Sequence, residues 1–183
     1  MKALILAASA VAIAASLPAS AENFTIGGTF AEGCSQFAQS GNFTFEALRT
    51  CDRALTEQPL ARDDKLGTYV NRGIVRMFRN DFVDASADFD EAIAMDSKRA
   101  EPWLNKAILQ FREGDSAGAI PLFDRALALG TDRPDLAYYG RGLAHEDVGD
   151  IKQAYADLKR ALAANPTWTA PARDLARYRL VAH

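Results

Sequence analysis

Three segments of this chain repeat one pattern, and that pattern decides the fold. They read LGTYVNRGIVRMFRNDFVDASADFDEAIAMDSKR (residues 66–99), AEPWLNKAILQFREGDSAGAIPLFDRALALGTDR (residues 100–133) and DLAYYGRGLAHEDVGDIKQAYADLKRALAANPTW (residues 135–168). Pro134 is a single inserted residue between the second segment and the third. Self-similarity at one fixed period is the sequence signature of a repeat architecture, in which similar units stack on one another.

The positions that agree among the segments follow helical spacing. An aromatic residue precedes a small residue by four positions, which places both on one face of a first helix. A small residue, a bulky residue and an alanine share one face of a second helix in the same way. A pair of turn-forming residues separates the two helices. The agreeing sets are Tyr69, Trp103, Tyr138; Gly73, Ala107, Gly142; Asn80-Asp81, Gly114-Asp115, Gly149-Asp150; Ala85, Ala119, Ala154; Phe89, Phe123, Leu158; and Ala92, Ala126, Ala161.

At these positions the chain resembles the tetratricopeptide repeat family, whose period and order of aromatic, small and alanine positions it shares. The resemblance implies an all-α solenoid of helical hairpins. Stacking is also expected on physical grounds, because a single hairpin leaves its apolar face exposed. The resemblance is specific for the fold and says little about the partner.

One column departs from the family. Where the family often has Leu before the small residue of the first helix, this chain has a basic residue: Arg72, Lys106 and Arg141. We predict that Arg72 pairs with Asp88 and Arg141 with Asp157, because both acids lie at the same offset in the second helix. Lys106 faces Leu122 at that offset and is expected to remain solvated. We interpret the column as structural rather than ligand-binding.

The flanking segments are interpreted as the two ends of the solenoid. Residues 22–65 predict a tail followed by a degenerate helical hairpin, in which Cys34 would lie against Cys51. An exported chain with an even number of cysteines usually pairs them, so we predict a Cys34–Cys51 disulfide. Residues 169–183 predict a capping helix over Ala170–Ala182, since solenoids need polar-backed caps. The less favoured alternative is that this helix forms a homodimer interface.

The first residues predict a signal peptide at 1–21. Lys2 precedes an apolar run from Ala3 to Leu17, and Ala19-Ser20-Ala21 provides a small-residue cleavage site. The alternative is an uncleaved anchor helix, but the run is short for a membrane span. The mature protein is expected to be exported to the periplasm or secreted, without membrane insertion, and the alanine-rich signal suggests a bacterial source.

The sequence predicts neither an enzyme nor a cofactor. It contains no glycine-rich phosphate loop and no pair of histidines at metal-binding helical spacing. In a helix, His145, Glu146 and Asp147 would point in different directions and could not converge on one atom. The net charge of −3 and the lack of a basic run also argue against nucleic acid as a partner.

The resemblance implies that the first helices line a concave groove that binds another protein or peptide. Several residues of these helices would make them apolar on a second face, which something must cover. The predicted groove residues are Val70, Asn71, Ile74, Met77, Leu104, Asn105, Ile108, Phe111, Tyr139 and Leu143. Ile108 and Phe111 are expected to form its centre. The alternative is coverage by the chain's own tail, through Phe24 and Ile26.

These observations predict a non-enzymatic adaptor of the cell envelope that binds a protein or peptide. The alternative function is a structural subunit docked permanently in a larger envelope or secretion assembly. An apolar groove suits either function.

Overall fold

The computed structural model describes residues 28–178, and this part of the chain is all-α, as the repeats predict. The predicted signal peptide and the tail residues Phe24 and Ile26 lie outside the described residues. No helix between residues 28 and 178 is long and apolar enough to cross a membrane. The helices are α1 (Phe30–Ser40), α2 (Phe45–Glu57), α3 (Arg62–Phe78), α4 (Phe82–Met95), α5 (Ala100–Arg112), α6 (Ser116–Ala128), α7 (Pro134–Asp147), α8 (Ile151–Ala164) and α9 (Thr169–Leu175).

Consecutive helices pair into hairpins that stack in chain order. Helices α3–α4, α5–α6 and α7–α8 form the three full units, α1–α2 precedes them and α9 follows. Each second helix packs on the first helix of the next unit, and the first helices α1, α3, α5 and α7 also contact one another in series. Consecutive second helices make no comparable contact within residues 28–178. The first helices therefore form the inner, concave layer of the array.

The recurring turn pair has a conformational cause. Its first residue adopts a left-handed backbone conformation in all three units, with φ of 66° at Asn80, 88° at Gly114 and 85° at Gly149. Glycine and asparagine tolerate this region best. The N–H of the following aspartate then donates to a carbonyl of the preceding helix, as from Asp81 to Arg76 at 2.9 Å. This is a Schellman ending, which stops the first helix and reverses the chain.

Small residues of the first helices allow close approach of helices both within a unit and between neighbouring units. Phe89 and Phe123 are fully buried in the described structure. A Cβ added at Gly73 would lie 2.5 Å from the Phe89 ring of the same unit, and one added at Gly140 of α7 would lie 2.5 Å from the Phe123 ring of α6, in the preceding unit. Both glycines are thus required by packing, although neither has a positive φ.

We expect Gly73→Ala to lower the free energy of unfolding by about 1–3 kcal/mol, because the new methyl group overlaps a buried ring that cannot move freely. Gly67→Ala is the matched control in the same helix, since a Cβ there would meet nothing within 4 Å. That control should be stabilising by up to about 1 kcal/mol, through helix propensity alone. Urea unfolding of both variants tests the pair, and equal effects would contradict the packing argument.

The hairpin α1–α2 is closed by a disulfide between Cys34 and Cys51, whose Cα atoms are 4.8 Å apart. Both cysteines are fully buried and pack with Ala47 and with Val75 of α3. The cross-link therefore lies where this hairpin packs on the first full unit. Closing a loop of this length contributes about 3 kcal/mol in the chain-entropy model.

Free-thiol titration of the denatured, unreduced protein should detect no thiol. The double variant Cys34→Ser/Cys51→Ser should unfold with a loss of about 3 kcal/mol, because its unfolded state is no longer constrained. Finding two titratable thiols in protein purified from its native compartment would contradict the disulfide.

The predicted capping helix is shorter than expected. It was predicted over Ala170–Ala182, but α9 ends at Leu175 and residues 176–178 form a turn. In this turn the N–H of Arg177 and that of Tyr178 donate to carbonyls three residues earlier instead of continuing the helix. The turn directs the Tyr178 ring towards Tyr155 of α8, with their centroids 5.9 Å apart. Packing on α8 therefore overrides the helical pattern of the sequence.

Candidate binding groove

The basic column of the first helices forms ion pairs with aspartates of the second helices. Arg72 reaches Asp88 at 2.7 Å and Asp52 at 2.8 Å. Arg141 reaches Asp157 at 2.7 Å and also contacts Asp124. The predicted pairs Arg72–Asp88 and Arg141–Asp157 are thus confirmed. Both partner carboxylates are almost fully buried, with Asp88 and Asp157 at 2% and 1% side-chain exposure.

The expectation for Lys106 was wrong. It forms an ion pair with Asp90 of the preceding unit. The offset within its own unit led to Leu122, but its actual partner comes from the neighbouring hairpin. The same inter-unit contact recurs along the array, from the second helix of one unit to the first helix of the next. The three pairs are Asp52–Arg72, Asp90–Lys106 and Asp124–Arg141.

The electrostatics of this column are structural. The hydrogen bonds that Arg141 donates to Asp157 raise the pKa of Arg141 and outweigh the opposing effect of burial. At Arg72 burial alone would lower the pKa, but the hydrogen bonds and charge of Asp88 raise it on balance. These guanidinium groups are already saturated by carboxylates and are not free for a ligand.

We expect Arg141→Met to cost about 3 kcal/mol of stability, because it leaves the buried Asp157 with fewer partners. The cost stays near the lower end for a buried pair because Arg160 remains 2.7 Å from Asp157. Lys106→Met should cost less than about 1 kcal/mol, since its partner Asp90 is 55% exposed. Thermal and denaturant unfolding measure both, and a larger loss for Lys106→Met would contradict this ranking.

Half of the predicted groove residues are buried in the structure. They pack against neighbouring helices and offer a partner almost no surface, which corrects the predicted groove. The buried residues are Val70, Met77, Leu104, Tyr139 and Leu143. These residues lie on inner-helix faces that the adjoining helices of the array cover.

At the third unit the cap itself closes the predicted groove. The hydroxyl of Tyr139 donates to Asp174 of α9 at 2.7 Å, and its ring lies 4.6 Å from that of Trp168. Burial and the Asp174 carboxylate together raise the pKa of Tyr139. Self-coverage therefore occurs here through the C-terminal helix, whereas the tail residues proposed for that role lie outside the described part.

The other five predicted residues are partly exposed: Asn71, Ile74, Asn105, Ile108 and Phe111. The side-chain N–H of Asn105 donates to the Glu101 carbonyl of its own helix, at 2.9 Å, which leaves this amide less free to bind a peptide backbone. Phe111 packs against the cores of both the second and the third unit. Its truncation would therefore also weaken the fold, which makes Phe111 a poor anchor for testing binding.

Two exposed residues extend this partly exposed face and were missed by the sequence prediction. Phe78 follows Ile74 by four positions, and Arg112 follows Ile108 by four, so each lies on the same helical face as the residue before it. The resulting stripe, here called the groove stripe, runs over α3 and α5. It consists of Asn71, Ile74, Phe78, Asn105, Ile108 and Arg112. Continuing the i, i+4 spacing to the helix ends could have found both residues.

The His145–Asp147 segment shows separate contacts rather than one site. His145 Nδ1 lies 3.9 Å from Asp150, Glu146 pairs with Arg177 at 2.9 Å, and Asp147 accepts a hydrogen bond from Ser116 at 2.7 Å. These contacts link the end of α7 to different neighbours. Within residues 28–178 no group of His, Cys, Asp and Glu is arranged to hold a metal ion.

Models of the tetratricopeptide repeat match residues 70–134 and residues 136–167. The chain therefore belongs to the tetratricopeptide repeat family over these residues. Proteins of this family are generally protein-binding scaffolds, and the fold is generally non-catalytic.

Individual similar proteins agree with the repeat fold. The chain is 31% identical over 144 residues to a probable UDP-N-acetylglucosamine–peptide N-acetylglucosaminyltransferase, SPINDLY, of Solanum lycopersicum, matching 79% of this chain but only 15% of that protein. Among solved structures, the type IV pilus biogenesis factor PilW superposes with a TM-score of 0.70 at 24% identity, over 81% of this chain and 66% of that one. The first repeat domain of RPAP3, bound to an HSP90 peptide, superposes at 0.58 and 22% identity, over 62% and 89%. At these identities the structures show the fold alone.

Proposed function

We propose that this protein is a non-enzymatic adaptor of the cell envelope that binds an extended segment of another protein along the groove stripe. The observation that carries the proposal is the partly exposed stripe on two adjacent inner helices. It presents apolar Ile74, Ile108 and Phe78 together with the amides Asn71 and Asn105. Apolar anchors beside a few hydrogen-bonding groups are the usual composition of a site for a peptide segment.

The geometry favours a narrow, elongated partner. The stripe occupies the first two full units only, because α9 and Trp168 cover the inner face of the third. The partly exposed amide of Asn71 makes no side-chain hydrogen bond within the described residues, so it remains available to a peptide backbone. A short extended segment therefore suits this surface better than a folded domain does.

The envelope location rests on the predicted signal peptide and on the buried disulfide, which is typical of proteins that fold in an oxidising compartment. The similarity to PilW, described as a type IV pilus biogenesis factor, and to a repeat domain that carries a peptide supports the same class of role. An adaptor of this kind folds and remains stable without its partner, whereas an obligate subunit would not.

Photo-crosslinking tests the groove directly. A photoreactive phenylalanine analogue replaces Phe78 on the stripe, and in a second variant it replaces Ala128, which is exposed on the outer helix α6. In host cells the variant at position 78 should yield a defined partner adduct by mass spectrometry, and the one at position 128 should not. Equal adducts from both positions would place binding elsewhere.

The crosslinked partner segment then provides a quantitative test. We expect Phe78→Ala to weaken its binding by about tenfold or more, because interface energy concentrates in central apolar anchors. Val83→Ala is the control, as Val83 is also apolar and exposed but lies on the second helix α4. Calorimetric titration should find its affinity unchanged. The melting temperature of each variant is measured alongside, because Phe78→Ala also removes the ring that stacks on Phe43.

A further inference from the structure

The groove stripe ends in a cluster of aromatic rings and arginines on an otherwise acidic protein. The Phe43 and Phe78 rings are stacked with centroids 4.2 Å apart, and Phe45, two residues after Phe43, is 64% exposed. The Arg112 guanidinium lies 4.8 Å from the centroid of Phe78. Three elements contribute these residues: the end of α3, the end of α5 and the segment that begins α2.

Arg112 differs from the arginines of the basic column in its partners. It makes no salt bridge with any carboxylate among residues 28–178, and its hydrogen bond to Asn80 is long, at 3.5 Å. Arg72 on α3 and Arg141 on α7 are each bound by two aspartates. Partial burial against the phenylalanine rings, with no such compensation, lowers the pKa of Arg112. A partly buried guanidinium without a carboxylate partner would be stabilised by binding an incoming carboxylate.

Arg112 has aromatic rings close to it on both α3 and α4. The centroids of the Phe78 and Phe82 rings lie 4.8 Å and 5.8 Å from the guanidinium carbon of Arg112. The N–H donors in the plane of a guanidinium can then bind a carboxylate in a bidentate manner. The neighbouring Arg79 is less available, because it lies 3.5 Å from Asp81 and donates to the Phe43 carbonyl.

We propose that the partner segment carries an aspartate or glutamate that binds Arg112, next to an apolar or aromatic side chain that packs on Phe78 and Phe45. This inference rests on the proposed function, because it specifies the chemistry of the segment held by the groove stripe. The proposed ligand is a peptide segment with an acidic residue next to an apolar or aromatic residue. Local charge complementarity supports this choice, since Arg112 forms no salt bridge among residues 28–178 and lies against the exposed Phe78 ring.

A peptide selection tests the proposal. A library of random twelve-residue peptides displayed on phage is selected in parallel on the wild-type full chain, on Arg112→Gln and on Arg125→Gln. Arg125 is the matched control because it lies 5.8 Å from the Trp103 ring on the outer helix α6 and also lacks a salt bridge among the described residues. Peptides selected on wild type and on Arg125→Gln should be enriched in acidic residues beside aromatic ones, and this enrichment should disappear on Arg112→Gln.

The best selected peptide is then synthesised with aspartate or asparagine at its enriched position. Binding of the acidic form should weaken at least tenfold in Arg112→Gln, whereas the asparagine form should bind both proteins equally weakly. Arg112→Lys should recover only part of the loss, because it restores the charge without the planar fork. The melting temperature of each variant is measured alongside, since Arg112 is exposed and its replacement should leave the fold intact.

Several outcomes would overturn the acidic-segment proposal. Enrichment that persists on Arg112→Gln, or that is lost on Arg125→Gln instead, would place the carboxylate elsewhere. Selected peptides without acidic residues whose binding still requires Phe78 would leave the groove function standing and refute this chemistry alone. An empty selection would also refute it, whereas the crosslinking at position 78 decides independently whether the groove binds a partner.

Discussion

A helical hairpin of this length cannot bury its apolar face by itself, and the rest of the structure follows from that constraint. Within each unit a bulky residue such as Phe89 fills the space left by a small residue such as Gly73, so the two helices approach closely. The surface that remains apolar is then covered by the next unit. Within residues 28–178 the disulfide-closed hairpin lies at one end of the stack and α9 at the other.

The ion pairs show how charge is accommodated in such an array. Each basic residue of the column bonds an aspartate of the preceding unit, and in the first and third units it also bonds a buried aspartate of its own. A buried pair of this kind adds little net stability, because desolvation offsets the attraction. Its loss is costly, however, and the geometry it requires favours one register between the two helices of a unit.

The groove stripe is the surface left after these contacts are made. Residues that face the neighbouring helices, such as Leu104, are used for packing, and the free surface lies one residue further around the same helices. Phe78 and Arg112 mark the end of this surface, where neither packing nor an ion pair within residues 28–178 satisfies them fully. A partner that supplies a carboxylate and an apolar side chain would satisfy both.

The sequence by itself determined the helices, the turns and the cysteine pair, because these depend on local spacing. Left-handed turn positions require glycine or asparagine, and a small residue four positions from an aromatic one defines a helical face wherever it occurs. The pairing of Arg72 with Asp88 could be predicted for the same reason, since both belong to one hairpin.

Only the tertiary structure decided which helical faces stay exposed and which unit supplies each ion-pair partner. Lys106 bonds Asp90 across a unit boundary, Tyr139 is buried by α9, and α9 itself ends early because Tyr178 turns towards α8. Each of these outcomes depends on contacts between elements distant in the sequence. Helical periodicity assigns a residue to a face, but coverage of that face depends on where the neighbouring helices pack.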